Sequence, residues 1–522
     1  TNAGSGTAGL VTLNGTIVVD GDVALSGATI SLDGGTGIQT DGGSITLTGT
    51  VDHNVNGYLI DSESGNNNAA GAISLGAIQG DGTSLLTIDA SSTGNTGGAV
   101  GLSGTSSNVG SLTVISSGAT AGIITGGGAL GAATNISITG DVSGSISVNA
   151  GNDATLVDTN AIDLGASTVG GNLSVTAGGV VADSGNVSVT GNASFSGTDI
   201  TLGGGTEMTN FGTLTFPATG SVFVQEDSGT ELTGANSANA LEVASTGALT
   251  DGAATGTDLT VTGMANFDGT TINIGGEAGE DTNFGRLISR STGNQSFQED
   301  SGLDSIDLNA GAANIVLAVS GDILDGDGSS DATAATFTVT AAGSFGSSGS
   351  PIATSVDTLS VTSSTGGNIY VSEATGVTLN VISTSSTGVV AITSATGDVS
   401  LADSAIATGS GSVTLTASGG SIVESAGTTA AKITTTGAVT LSASAAIGGT
   451  GADEAIDIAS SGDLTLSAGT DLLVLGAGQV LTALDVTVDP STGGNTYSID
   501  PSGFSNVSAL TLTDDGANLE VD

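Results

Sequence analysis

A repeat of about 73 residues is the feature of this sequence that most constrains its fold, because a fixed period of this length is typical of repeat architectures. Residues 189–195 (Val-Thr-Gly-Asn-Ala-Ser-Phe) return as residues 261–267 (Val-Thr-Gly-Met-Ala-Asn-Phe). Residues 225–229 (Gln-Glu-Asp-Ser-Gly) return unchanged as 298–302, and a fainter third copy begins at residue 339. In such arrays the units bury their surface only against their neighbours.

The composition is uniform along the 522 residues, and no segment reads as a linker. Length alone would suggest several domains, but this uniformity favours an undivided chain. We therefore predict one continuous β-solenoid over residues 1–522, with internal repeats at roughly 187–260, 261–338 and 339–400.

Short apolar-polar-apolar triplets recur along the chain, for example at residues 45–47, 136–138, 173–175, 259–261 and 464–466. Alternation with a period of two predicts short β-strands with one buried face. Clusters of Gly, Asn, Asp and Ser between the triplets are typical of turns. Residues that favour helices are scarce and show no helical spacing, so the sequence predicts an all-β protein.

The repeat length distinguishes between the all-β folds. Sandwiches do not repeat their sequence, and propeller blades carry larger hydrophobic residues. The repeat unit divides into three coils of roughly equal length, each about the size of one turn of a parallel β-helix. At about 4.8 Å per coil, some 22 coils would form an elongated rod of roughly 100 Å. With 88 Gly, no Trp and 2% aromatic residues, we expect a thin core of small aliphatic side chains.

The charge balance excludes several classes of function. The formal net charge is −48, and Arg286, Arg290 and Lys432 are the only cationic residues apart from one histidine. Phosphate neutralisation needs clustered Lys and Arg, so nucleic acid is excluded as a ligand, and an anionic membrane surface is disfavoured. No apolar run is long enough to span a bilayer, which predicts no insertion into a membrane. Self-repulsion predicts that salt or divalent cations help the chain stay compact.

Residues 171–179, 350–361 and 368–373 carry a family resemblance. They resemble the repeat regions of giant filamentous-haemagglutinin-like bacterial proteins, most clearly within residues 130–470. The resemblance implies a right-handed parallel β-helix that is exported to the bacterial cell surface. It also implies a role in adhesion, aggregation or matrix formation in the extracellular space.

Calcium is the first ligand that the sequence suggests, although no cofactor is required. Asp322, Asp325, Asp327 and Asp331 lie in a Gly-rich turn and could offer several hard oxygen ligands, without the ligand order of an EF-hand. The alternative interpretation is a solvated turn. Residues 448–453 match the opening of a calcium-binding nonapeptide, but Ala455 stands where that motif has a large apolar residue.

The repeated acids suggest a second arrangement. Glu226 and Asp227 recur as Glu299 and Asp300, and they would form a ladder of like charge if the copies stacked in register.

Catalytic chemistry finds little support in the sequence. His53 is the only histidine, and the cationic residues are not grouped with acids except where Arg286 and Arg290 follow Glu280 and Asp281. We therefore predict no enzymatic activity. A polysaccharide-lyase scaffold would require a carboxylate cluster beside Arg286 and Arg290.

Ser and Thr at the middle of the triplets predict exposed rows of hydroxyl groups, suited to glycosylation or to contact with surface glycans. Asparagines in Asn-x-Ser/Thr sequons are Asn14, Asn135, Asn172, Asn186, Asn192, Asn294 and Asn506.

Neither end of the sequence carries a recognisable cap for an unpaired strand edge, so we expect either a segment of a longer protein or end-to-end self-association. Together these features predict an extracellular structural or adhesive protein that forms or belongs to a surface filament or fibrous coat. The alternative is a calcium-dependent carbohydrate-binding or S-layer module.

Overall fold

The structure is a computed structural model that describes residues 9–65, 68–126, 128–252, 257–276, 280–424, 430–448 and 456–470, and the backbone of four strands beyond them. It contains two compact units, an N-terminal unit (Thr1–Leu259) and a C-terminal unit (Thr260–Asp522). The described residues form strands and turns but no helix, so none of them could cross a membrane as a helix.

The strands of the N-terminal unit are Leu10–Leu13, Ile17–Val19, Val23–Leu32, Gly37–Thr40, Ile45–His53, Tyr58–Asp61, Ile73–Leu75, Ile78–Gly80, Leu85–Asp89, Val100–Leu102, Ser106–Ser107, Ser111–Ile115, Ile123–Gly126, Leu130–Ala132, Ile136–Val142, Ser145–Ile146, Val148–Ala150, Ala154–Asp158, Ile162–Leu164, Ser167–Val169, Leu173–Ala177, Val181–Asp183, Val187–Ser196, Ile200–Leu202, Thr209–Thr215, Ser221–Glu226, Thr230–Leu232, Ala235–Ala238, Ala240–Ser245 and Leu249–Asp251. Asp258–Gly269 contains the boundary between the units. The strands of the C-terminal unit are Ile272–Ile274, Thr282–Ser291, Gln295–Glu299, Ser305–Asn309, Asn314–Val319, Ala332–Ala341, Ile352–Ser363, Ile369–Glu373, Val377–Thr384, Val390–Ser394, Val399–Leu401, Ile406–Ala407, Val413–Ala417, Ile422–Glu424, Ile433–Thr435, Val439–Ala443, Ile456–Ser460, Leu464–Ala468, Leu472–Gly476, Leu484–Val488, Tyr497–Asp500 and Leu510–Asp514.

Parallel stacking in register defines the N-terminal unit. Ile60 pairs with Ile88, Ile88 with Val114, Val114 with Ile138, and Ile138 with Leu156. Each step moves one turn along a solenoid and places an aliphatic side chain on an aliphatic side chain. The turns vary in length, since the first of these steps spans more residues than the last. The predicted parallel β-solenoid is therefore confirmed here.

The C-terminal unit follows the same rule. Val371 pairs with Ile392, Ile392 with Leu415, Leu415 with Leu441, and Leu441 with Leu466, all in parallel. All five side chains are at most 2% exposed. The alternation of buried and exposed positions in these strands matches the triplets seen in the sequence.

The predicted division of the repeat into three coils is wrong. Ala193 pairs with Leu214, Leu214 with Leu232, and Leu232 with Asp251. Three turns of the solenoid therefore lead from Ala193 to Asp251. One sequence repeat leads from Ala193 to Ala265, so the repeat is longer than three turns. Each of these turns is therefore shorter than a third of the repeat.

Phenylalanine fills the core in the repeated region, where the sequence suggested only small aliphatic residues. Phe195 lies against Phe211 with ring centroids 5.5 Å apart in the N-terminal unit. Phe267 lies 6.0 Å from Phe297 in the C-terminal unit. Rings of this kind bury more apolar area than aliphatic side chains and prefer such tilted contacts.

Columns of glycine line one corner of consecutive turns in each unit. A Cβ atom on any later member would lie 1.7–2.5 Å from backbone atoms of the glycine one turn before it. The columns are Gly21, Gly43, Gly71, Gly98 and Gly122, and Gly343, Gly367, Gly388, Gly411, Gly437 and Gly462. Because these distances are shorter than any real Cβ contact, the close approach of the turns requires glycine.

Side-chain oxygens of Asp and Asn form a second link between turns. The Asp22 carboxylate accepts a hydrogen bond from the backbone N–H of Ser44, one turn later, at 2.8 Å. The same contact joins Asp199 to Ser221 at 2.7 Å. Further bridging residues are Asn56, Asn135, Asp153, Asn172, Asn186, Asn294, Asp322, Asn368 and Asp398. These side chains satisfy backbone donors at the corners, where strand pairing stops.

Substitution of a column glycine should open the stack. In Gly411→Ala, the new methyl group would lie 1.7 Å from the Gly388 carbonyl oxygen, so the turns must separate. We expect a loss of about 2 kcal/mol or more in the free energy of unfolding. Gly349→Ala is the matched control, since nothing lies within 4 Å of its Cβ position. Chemical denaturation of both variants measures the difference, and equal midpoints would contradict the role of the column.

Candidate functional site

The acidic turn of residues 325–331 is the best-defined candidate site. It follows the isolated bridge at Ile323 and ends at strand Ala332–Ala341. Strand pairing places Ser305 beside Arg286 and Ala332 beside Leu308, so three successive turns of the solenoid meet here. Acidic and cationic side chains from these turns come together here.

Three of the four predicted calcium ligands lie together. One ligand oxygen from each of Asp325, Asp327 and Asp331 falls within 4.8 Å of the others. Asp322 is not in this group, because its carboxylate bridges to the N–H of Ser344 on the next turn at 2.5 Å. The contact repeats the role that Asp22 has elsewhere.

Asp331 gives the strongest indication of a cation site among the three aspartates. It is fully buried, its Oδ2 accepts the N–H of Ala353 at 2.5 Å, and its Oδ1 has no hydrogen-bond partner among the described residues. Burial raises its pKa to about 7, against the opposing hydrogen bond from Ala353, and the nearby Asp325, Asp327 and Asp307 raise it further. A buried carboxylate oxygen without a partner is costly unless a proton or a cation neutralises it.

Asp325 and Asp327 also organise their own turn. Asp325 Oδ1 accepts the N–H groups of Asp327 at 3.2 Å and Gly328 at 2.6 Å. Asp327 Oδ1 accepts the N–H of Ser329 at 3.0 Å and its hydroxyl at 2.7 Å, and these bonds hold the pKa of Asp327 below its usual value. The solvated-turn interpretation thus accounts for part of the geometry, but it leaves Asp331 Oδ1 unexplained.

Arg286 supplies a fixed positive charge to the site. Its Nη2 lies 2.6 Å from Asp327 Oδ2. Arg290, further along the same strand, instead pairs with Asp307 at 2.5 Å. The carboxylate cluster that a lyase scaffold would require is therefore present beside Arg286, whereas Arg290 is paired separately.

The oxygens of Asp325, Asp327 and Asp331 are hard ligands of the type that calcium prefers. With all three carboxylates ionised, their negative charge exceeds that of the one guanidinium, and a divalent cation would balance the excess. The residues present therefore fit Ca²⁺. The nonapeptide candidate cannot be compared in the same way, because residues 449–455 lie outside the described residues.

His53, the only histidine, is fully buried, with its ring 6.2 Å from that of Tyr58. Burial lowers its pKa, against the nearby charges of Asp81 and Asp52, which raise it. In this position the His53 ring is part of the core of the N-terminal unit.

A buried glutamate recurs at the equivalent position of each repeat copy. Glu226 is 1% exposed, and its Oε1 accepts the N–H of Phe211 one turn before, at 2.5 Å. Glu299, fully buried, accepts the N–H of Phe284 at 3.2 Å. Glu373, also fully buried, bonds to the hydroxyl of Thr354 at 2.7 Å. The sequence signal was a Glu followed two residues later by Ser or Thr and then by Gly.

These glutamates do not form the ladder of like charge that the repeat suggested. Glu226 pairs with Thr209 and Ser245 on the adjacent turns, and Glu299 pairs with Val319. Burial raises the pKa of Glu226 to about 7 despite the hydrogen bonds that it accepts from Phe211, Thr230 and Ser228. Burial also raises the pKa of Glu299.

Five of the seven sequon asparagines have structural partners, and Asn506 lies outside the described residues. Asn135, Asn172, Asn186 and Asn294 each use the side-chain oxygen to accept a backbone N–H of a later turn. Asn192 accepts the hydroxyl of Thr213 at 2.8 Å. Turn-to-turn bonding therefore explains these asparagines without glycosylation.

Comparison with known proteins gives one match. Residues 151–216 match a family described as "Repeats of unknown function (DUF5649)". This segment contains the stacked pairs Leu156–Val175 and Val175–Phe195, so the similarity falls on regular turns of the solenoid. No curated protein and no solved structure matches the chain. The match supports a repeat architecture, and the resemblance to filamentous-haemagglutinin-like proteins stays a prediction.

Calcium should stabilise the protein through Asp331. At a concentration roughly 100-fold above the dissociation constant, we expect a rise of roughly 5–10 °C in the melting temperature of the C-terminal unit. Asp331→Asn should melt higher than the wild type in chelator, because it removes a buried charge, but should not respond to calcium. Asp304→Asn removes an exposed charge of the same unit and should keep the response. Calorimetry measures the melting temperature of all three proteins with and without calcium. An equal calcium-induced shift in all three would rule the site out.

Acid should stabilise the protein through Glu226. Its pKa rises from the usual 4.5 to about 7 on folding, so the folded state binds more protons between these values. The stability that this group contributes is therefore greatest below pH 4.5 and falls as pH rises through about 7. We expect a higher melting temperature at pH 5 than at pH 8, with a smaller difference in Glu226→Gln.

The matched control is Glu231→Gln, since Glu231 is exposed and lies on the neighbouring strand Thr230–Leu232. It removes one charge without changing the buried carboxyl. If both variants show the same pH dependence of the melting temperature, Glu226 is not the group responsible for it.

Proposed function

We propose that this chain is an extracellular structural or adhesive element of a bacterial surface filament or fibrous coat. The observation that carries the proposal is the parallel register within each unit, in which successive turns pair residue for residue. Such an array offers length and stiffness, and it repeats the same surface many times. These are the properties of a scaffold.

The contacts between turns explain how such a scaffold would resist deformation. Strand pairing supplies backbone hydrogen bonds along each unit, the glycine columns allow close approach, and the Asp and Asn bridges extend the bonding to the corners. Because successive turns are held by similar contacts, load would be shared among many of them.

The charge distribution supports a location outside the cell. A net charge of −48 with only three Lys and Arg keeps the surface soluble and repels anionic membranes. All three cations are ion-paired, and the Lys432 side chain is 0% exposed. Proteases that cut after Lys or Arg would therefore find few accessible sites.

The middle residues of the triplets support contact with surface glycans. Thr46, Ser174 and Thr260 are exposed between buried neighbours, and the pattern recurs on other turns. Rows of hydroxyl groups provide hydrogen-bond donors and acceptors at the strand spacing of about 4.8 Å. Weak contacts repeated along a fibre would add through multivalency.

A second candidate function is a calcium-dependent carbohydrate-binding or S-layer module. The specific observation in its favour is the group of Asp325, Asp327 and Asp331 with its unpartnered buried oxygen. Cation binding there would couple the C-terminal unit to the calcium concentration of the surroundings.

Electron cryo-microscopy of the purified protein in its native salt tests the proposal. We expect filaments in which copies join end to end, since strand pairing can continue from one copy to the next. The filaments should persist in chelator and in Asp331→Asn. Single particles at every protein concentration and ionic strength would contradict self-association. Loss of order in chelator, restored by calcium, would favour the second candidate.

A further inference from the structure

Lys432, the only lysine of the chain, is fully buried beside three carboxyl groups. Its Nζ lies 2.5 Å from Asp403 Oδ1 and 3.6 Å from Glu424 Oε1. Asp457, which is 9% exposed, also interacts electrostatically with the lysine. The one lysine among 522 residues is therefore buried and contacts a carboxyl group.

The groups come from neighbouring turns of the C-terminal unit. Ile406 pairs with Ile433, and the N–H of Ile406 donates to the carbonyl of Lys432 at 2.9 Å. Asp403 therefore lies one turn before Lys432. The N–H of Lys432 donates to the carbonyl of Asp457, at 2.8 Å, on the turn after it. Strand pairing thus fixes the backbones that carry the lysine and its partners.

A simple ion pair is a poor explanation for this arrangement, because the lysine is fully buried and the cost of desolvating its charge offsets much of its attraction to Asp403, whose side chain is 46% exposed. Three carboxyls also exceed the one positive charge. Burial raises the pKa of Glu424 and of Asp457, while the lysine opposes both shifts. The cluster therefore favours a protonated carboxyl close to the lysine, which is the state that condensation chemistry needs.

We propose that Lys432 and Asp403 form an intramolecular amide, or isopeptide, bond that joins two adjacent turns. Nζ, after losing a proton, attacks Cγ of Asp403. The Nζ–Cγ bond forms, the bond from Cγ to one carboxyl oxygen breaks, and that oxygen leaves as water with two protons from the original ammonium group. Glu424 carries one of these protons from the nitrogen to the departing oxygen. No oxidant or other co-reactant is needed.

The geometry favours this step in two ways. Holding the amine against the carboxyl makes the reaction intramolecular, and well-oriented groups reach effective concentrations on the order of 10⁵ M or more. The Asp403 side chain is 46% exposed, so the released water can leave to solvent, whereas Lys432 and Glu424 are 0% and 2% exposed. Burial keeps the amine and its proton carrier away from competing water.

The intact mass of the purified wild-type chain, measured after denaturation, tests the proposal directly. We expect a mass lower than that of the sequence by one water molecule. Trypsin should cut the denatured chain after Arg286 and Arg290 but not after Lys432, because an acylated lysine is not a substrate. Fragmentation should locate the linkage between Lys432 and Asp403.

Matched variants separate the roles of the three residues. Lys432→Arg keeps the positive charge but should show the full sequence mass. Glu424→Gln keeps the shape, and it should also show the full mass together with tryptic cleavage after Lys432. Asp403→Asn would lose ammonia instead of water, so its mature product should have the same mass as the mature wild type.

The wild-type result does not depend on whether any variant folds. A wild-type mass equal to that of the sequence, with cleavage after Lys432, would overturn the proposal and leave an ion pair between Lys432 and Asp403. A linkage from Lys432 to Glu424 or Asp457 would overturn the assignment of Asp403.

Discussion

Parallel backbone pairing between successive turns is the constraint on which the rest of this structure depends. It requires each turn to lie one strand spacing from the next, at corners as well as along strands. In the column around Gly411, that distance leaves no space for a Cβ atom. At Asp22 and Asp199, a side-chain oxygen replaces the missing backbone acceptor. The close stacking of turns, more than turn formation alone, therefore accounts for the Gly, Asp and Asn residues at these corners.

The strands could be predicted from the sequence, but the turn length could not. In triplets such as residues 45–47 and 464–466, the alternation of apolar and polar residues predicts which side chains are buried, because alternation is a local property. The spacing of turns is not local, since a corner can gain or lose residues without disturbing the paired strands. The long step from Ile60 to Ile88 and the short step from Ile138 to Leu156 therefore coexist in one unit. A sequence period alone does not reveal the number of turns that it contains.

The same limit applies to the candidate site. The aspartates between 322 and 331 suggested a shared ligand set, and three of the four do lie together. Asp322 could not be separated from them by composition, because its bridging role depends on Ser344 one turn later. The inward direction of Glu226 was also hidden, since an acidic residue in a polar turn gives no sign of burial. Arg286 joined the site only through strand pairing across two turns.

Nearest-neighbour stacking also determines where a covalent bond has most effect. In a solenoid each turn is stabilised mainly by the turns on either side, so a locally weak pair is not compensated by distant contacts. Lys432, with its surplus of buried carboxyls, would make the adjoining turns such a weak point if its contacts stayed ionic. An amide to Asp403 removes both charges and closes the loop between the two turns. Lys432 would thus weaken these turns as an ion pair and would strengthen them as an amide.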